Sequence, residues 1–364
     1  MALREMTNSF PAYKYIITSF FLSGVSTLLL QIAWERWLNC YVGTALPTVA
    51  LIVATFMIGL GIGAQLAGFL LKRKQSGLML YAASQLLIGV LALASLQFGR
   101  QIDWLLSAFT VTNASALPWA FSLRVLTGIM LLLIPASAIG ASFPFLAHFC
   151  FSQKAASAKT ALLYCFNLLG SALGAILAGF ILIPVIGVSK TVAVAAGFNL
   201  LALICLVPAR PKDLMKDRQT NLSSDPMAAT LETKSETKSG WVSQMGSALT
   251  IVAISGALSM VLEVLWTRLF MLICGPSSYA FALTVCCQLL AFAAGGTLMS
   301  MWLSRSAGQR EDRRAYQILA TLGLIAGLSV FLGLCFVNKL PWMVFTSQTF
   351  LLKILPAQPH VAFI

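Results

Sequence analysis

Two short polar clusters interrupt long apolar runs and hold residue types able to do chemistry inside a membrane. The first contains Gln31, Glu35 and Arg36; the second contains Glu263, Thr267 and Arg268. On a helix, positions 31 and 35 lie one turn apart on one face, and so do 263 and 267. Each arginine sits about 100° round from the residue before it. Each cluster therefore keeps one carboxylate on its face, at swapped positions. A carboxylate from each cluster beside a guanidinium suits a cationic substrate, a proton relay or an ion pair locking two halves together. Ionisable groups at membrane depth are costly and mark function by default. The competing reading is anchoring. Glu35 and Arg36 lie near the outer end of their span beside Trp34 and Trp37, as Trp266 lies beside Arg268, and Trp with Arg at that depth forms an interfacial belt. Glu263 lies deeper and is the stronger candidate. Tyr164, Asn167, Asn199 and Gln288 are further polar positions within apolar runs; each suits either a cavity wall or a bond between helices.

These residues need helices to hold them. A span takes about 20 mostly apolar residues to cross a core of about 30 Å. Nine such stretches follow one another: 15–37, 49–71, 78–98, 125–149, 161–185, 189–207, 247–269, 279–303 and 316–336. With 59% hydrophobic and 10% charged residues, against about 25% charged in soluble domains, the chain reads as an all-α polytopic membrane protein. The first span is expected to be a retained helix, since no small-residue cleavage site follows a short apolar run.

The two clusters are related. The stretch Ser23–Arg73 returns as Ser255–Arg305, 232 residues later. Ser-Gly at the start, the Trp34-x-Arg36 and Trp266-x-Arg268 pairs, Gly43 with Gly275, Gly63 with Gly295, and the closing arginines all coincide. A period this long marks duplicated membrane halves rather than a short solenoid repeat. Residues 1–208 form the first repeat of six helices. Residues 209–246 read as a polar linker: Pro, Ser, Thr, Lys, Asp and Glu dominate and apolar runs vanish. Residues 247–364 form a second repeat that carries three spans, incomplete against the first. After the ninth span, the Leu340-Pro341-Trp342 region reads as an interfacial stretch paralleling Asp103–Ala120, which precedes the fourth span.

The formal charge of +13 does not form a nucleic-acid footprint. Lysines and arginines sit between apolar spans, and 17 of the 24 fall in alternate loops with the N-terminus and the linker. The excess of positive charge places both in the cytoplasm. Both repeats then enter from the same side, which makes them parallel and related by an axis along the membrane normal, the major facilitator arrangement. A bacterial inner membrane is the expected location and the lipid bilayer the expected partner.

Other motifs carry less. The eight cysteines lie mostly in apolar spans without a C-x-x-C pair, and read as small buried side chains. Gly59, Gly61 and Gly63 spell a fragment of a nucleotide-binding fingerprint, but no strand precedes them. They are expected to serve close helix packing, as are Gly68, Gly170, Gly174 and Gly179. His148 reads as a helix-end residue. No metal cluster, catalytic triad or phosphate loop is present, so no cofactor is expected.

The chain resembles the membrane region of the spermidine synthase-like membrane proteins, fused major facilitator/spermidine synthase proteins. The residues that carry the likeness are Ser255-Gly256, Glu263-x-x-Trp266-x-Arg268, Gly275 and Ser277, and Gly140-Ala141-Ser142-Phe143-Pro144. A further run joins Tyr164, Asn167, Gly170, Gly174, Gly179, Phe180, Leu182, Ile183, Pro184 and Gly187. The first copy reads Gln31-x-x-Trp34-x-Arg36, with Gln31 where the family carries Glu. The resemblance implies a facilitator-like helical fold and a polyamine-related role, as a transporter or as the membrane module of an aminopropyltransferase. The soluble synthase domain of that family, with its Gly-rich loop and catalytic Asp, has no counterpart in these residues. A small cation such as a polyamine is the expected substrate.

Overall fold

The computed structural model describes residues 11–42, 46–72, 76–112, 117–151, 156–208, 238–274, 278–305 and 312–337, with 339, 342, 345 and 346. Every regular element among them is a helix, as a chain in lipid requires, since each backbone N–H and C=O must find its partner within the segment. In order they are α1 (Pro11–Val42), α2 (Leu46–Leu71), α3 (Gly77–Thr112), α4 (Leu117–Phe151), α5 (Ala156–Ile176), α6 (Ile183–Ile186), α7 (Val188–Ile204), α8 (Lys238–Cys274), α9 (Ser278–Arg305) and α10 (Asp312–Val337). A π-helical turn, Leu177–Leu182, joins α5 to α6, so that 160–186 crosses as one unit. Seven helices are long and apolar enough to span a bilayer; Val188–Ile204 and Thr321–Phe336 are shorter apolar helices. All nine expected spans fall on these helices, and the protein is an all-α polytopic membrane protein.

The helices outrun the apolar stretches. Asp103–Ala120, expected as an interfacial segment, continues α3 to Thr112 and opens α4 at Leu117. At about 1.5 Å per residue, the 36 residues of α3 exceed the hydrocarbon core by more than half. Helix α8 likewise begins at Lys238, inside the stretch expected to be linker; the rest of that linker lies outside the described residues. Polar residues end hydropathy, not backbone hydrogen bonding.

Helix α1 is the axis of the first unit. Its span is 78% buried, whereas that of α8 is 6% buried and borders lipid. It packs on α5 and α7, while α2 packs on α4, α3 on α4 and α7, and α8 on α9. Small residues set the closest approaches. A Cβ on Gly24 would overlap the Asn167 carbonyl, one on Gly170 or Gly174 the carbonyls of Phe21 and Val25, and one on Gly63 the carbonyl of Ser137. Without a hydrophobic driving force between helices, such backbone proximity is a main source of association. Among the described residues Gly61 and Gly68 instead meet nothing within 4 Å, whereas a Cβ on Gly59 would overlap the Ala136 side chain, so the packing role expected of that glycine series holds for Gly59, Gly63, Gly170 and Gly174 and not for these two.

Side-chain hydroxyls add ties across helices. Ser26 Oγ donates to the Ala195 carbonyl at 2.8 Å and Ser19 Oγ to the Ala202 carbonyl at 2.7 Å, binding α1 to α7. Trp34 Nε1 donates to Ser95 Oγ at 3.1 Å. Trp34 is thus buried between α1 and α3 rather than standing in an interfacial belt. The first unit meets the rest of the chain mainly through α5 and the π turn, which pack on α9. There the rings of Phe180 and Tyr279 lie 5.3 Å apart.

Candidate functional site

A cavity of about 340 Å³ lies where α1, α2, α4 and α5 of the first unit face α8 and α9. Helix α1 presents Gln31 to it, α5 presents Tyr164 and Asn167, α8 presents Glu263 and α9 presents Gln288. The aromatic part of the wall comes from Phe20, Phe56, Phe143 and Phe292. Five residues singled out in the sequence therefore meet in one place: Gln31, Tyr164, Asn167, Glu263 and Gln288.

The wall follows the internal repeat. Leu28 and Met260, Gln31 and Glu263, Phe56 and Gln288, Met57 and Leu289, and Leu60 and Phe292 are five pairs separated by 232 residues, and all ten residues line the cavity. Repeat-equivalent positions of α1 with α8, and of α2 with α9, converge on the same space. The cavity thus sits where two copies of one helix hairpin face each other, and its two sides differ in charge: an amide at Gln31 and a carboxyl group at Glu263.

Glu263 is buried, with 7% of its surface exposed. Gln288 Nε2 donates to its Oε2 at 3.0 Å. Its Oε1 has no hydrogen-bond partner among the described residues. A second cavity of about 330 Å³ lies between α8 and α9 alone, beside Trp266, Phe270 and Thr284. Glu263 and Gln288 are the two residues that line both cavities.

The other polar residues divide by what they already hold. Asn167 Nδ2 donates to the Phe20 carbonyl at 2.9 Å, and Ser171 Oγ to the Gly24 carbonyl at 3.3 Å. Asn167 therefore both lines the cavity and ties α5 to α1. The Tyr164 ring lies 5.3 Å from that of Phe143, and the residue is 42% exposed. Pro144 lies inside α4 and has no N–H for the carbonyl four residues earlier, which belongs to Gly140, a cavity-lining residue.

Glu35, Arg36 and Arg268 stand apart from the cavity lining. Glu35 is buried, and Asn39 Nδ2 donates to its Oε1. It sits one turn further along α1 than Gln31, toward the helix's C-terminal end. Arg36 is exposed and Arg268 half-buried. Thr267, the repeat counterpart of Glu35, is buried with its hydroxyl unpartnered. The face expected to carry both carboxylates thus delivers one of them, Glu263, to the cavity. Asn199 is buried on α7, near Gly89 of α3, and takes no part in it. Phe20, Phe56 and Phe292 were not singled out in the sequence, and Phe143 appeared there only within the Gly140–Pro144 run of the resemblance. Phe56 carried a signal as the repeat counterpart of Gln288.

Among the described residues no group of three or more His, Cys, Asp or Glu side chains is placed to hold a metal ion. Comparison of the chain with protein-family models, curated proteins and solved structures finds no match.

Proposed function

We propose that this membrane protein is transporter-like and binds a small organic cation in the cavity between its two repeated units, with Glu263 as the counter-charge. The observation that carries this reading is the placement of Glu263, a buried carboxyl group with one free oxygen, on a cavity assembled from repeat-equivalent positions of both units. An ionised carboxylate at membrane depth is expensive unless a positive charge lies against it, and a bound cation supplies that charge. Oε1 accepts from the cation while Gln288 keeps Oε2 in place. The facing amide of Gln31 and the Gly140 carbonyl, freed by Pro144, offer neutral acceptors. Among the described residues no Lys, Arg or His lines the cavity, which disfavours an anion. Ligand cavities commonly enclose about 300–1,000 Å³, a range that includes this one.

The resemblance to the spermidine synthase-like membrane proteins puts polyamines in the test panel. The positive-inside bias supports an N-terminus and a 209–237 segment on the cytoplasmic side of a bacterial inner membrane. The test is uptake into proteoliposomes, together with thermal stability of the purified protein, against a panel of organic cations that includes polyamines. One of them is expected to raise the unfolding temperature saturably. Glu263→Gln, which keeps the shape and the contact with Gln288, is expected to abolish that rise and the uptake while leaving the unliganded protein folded. Unchanged uptake in Glu263→Gln would remove the carboxylate from the function.

A further inference from the structure

The cavity wall also states how many charges its ligand carries. Among the described residues that line it, Glu263 is the single Asp or Glu, and no basic side chain accompanies it. The remaining polar groups are neutral, and several are already engaged: Asn167 with the Phe20 carbonyl, Ser171 with the Gly24 carbonyl and Ser142 with the Ile139 carbonyl. The rings of Phe20, Phe56, Phe143 and Phe292 line the same space. A polyamine would bring two or more ammonium groups to this space. One would find Glu263, and each other would be buried against amides and rings. Burying an unpaired charge costs several kcal/mol, whereas an aromatic face returns about 0.5–2 kcal/mol. The balance falls against a second charge.

We propose that the cavity selects a singly charged organic cation with a bulky apolar or aromatic body, its charged head on Glu263 and its body among Phe20, Phe56, Phe143 and Phe292, and that it discriminates against polyamines. This rests on the cation-binding reading above and names the substrate class of the same site. The repeat supplies the reason for a single charge. Gln31 occupies the position equivalent to Glu263 on the other side of the cavity, so one amide stands where the duplicated pattern would otherwise place a second carboxylate.

The experiment measures ligand-induced thermal stabilisation of the full chain in detergent with three probes: phenethylammonium, spermidine and phenethyl alcohol. In the wild type, phenethylammonium is expected to stabilise saturably, with an apparent affinity at least tenfold above that of spermidine, and phenethyl alcohol to have no effect. Gln31→Glu adds the second carboxylate and is expected to shift preference toward spermidine by at least tenfold. The wild-type comparison carries the proposal even where that variant does not fold. Spermidine binding as tightly as phenethylammonium in the wild type overturns the single-charge inference and leaves cation binding standing. Equal stabilisation by phenethyl alcohol, or no response to either cation by a folded protein, overturns the cation-binding reading itself.

Discussion

Gly61 and Gly63 lie on the same helix, two residues apart, and should respond oppositely to the same small change. At Gly61 an added methyl group meets nothing within 4 Å. There Gly→Ala only restricts the unfolded backbone and is expected to stabilise by about 0.5–1 kcal/mol. At Gly63 the methyl would overlap the Ser137 carbonyl and crowd the Ala141 amide. Helices α2 and α4 must part by on the order of 1 Å, and a gap of that size forfeits roughly a quarter to a half of each dispersion contact along the seam. Overpacking of this kind costs about 1–3 kcal/mol. Offset by the backbone gain, Gly63→Ala should lose about 1–2 kcal/mol and fall about 2 kcal/mol below Gly61→Ala. Gly295, the repeat counterpart of Gly63, also meets nothing within 4 Å, so Gly295→Ala should follow Gly61→Ala. The assay is detergent-driven unfolding of the purified protein in mixed micelles, read by tryptophan fluorescence. Gly63→Ala matching or exceeding Gly61→Ala in stability would mean that α2 and α4 do not meet at Gly63. The account of the cavity wall that α2 and α4 hold in place would then fail with it.

Two further expectations use the same assay. Trp34→Phe removes the donor to Ser95 and should cost about 1 kcal/mol; added to Ser95→Ala it should cost little more, and full additivity would deny that the two side chains are bonded. Gly187 turns the chain into α7 with φ 80° and ψ 169°, a region essentially reserved for glycine. Gly187→Ala should therefore lose about 1–3 kcal/mol, and a neutral result would contradict the described turn.

The spans were legible in the sequence because lipid leaves the backbone one practical choice, and long apolar runs announce it. Their ends were less so. Hydropathy marks the slice of helix that lies in the bilayer, whereas Asp103–Thr112 and Lys238–Gly246 continue the same hydrogen-bonding ladder beyond it. Glu263 and Gln31 were legible through the repeat, which singles out equivalent positions without any knowledge of the fold. Glu35 was grouped with them because it shares their helix face. One turn of about 5.4 Å along the axis carries it past the cavity to Asn39. Trp34 followed the general habit of tryptophan at membrane interfaces, and its partner Ser95, 61 residues away, gives no sign in the local sequence. Phe20, Phe56 and Phe292 were hidden for a plainer reason. The chain has 23 phenylalanines, and only three-dimensional packing separates those around a cavity from those that face lipid.

The hydrogen bond between Gln288 and Glu263 does more than hold a carboxylate. These two side chains line both the central cavity and the space between α8 and α9, so the bond that joins them borders both voids. Seen as a network of spaces rather than of atoms, the described helices hold two rooms with one pair of side chains in the wall of each, so a change at Glu263 or Gln288 reshapes both at once.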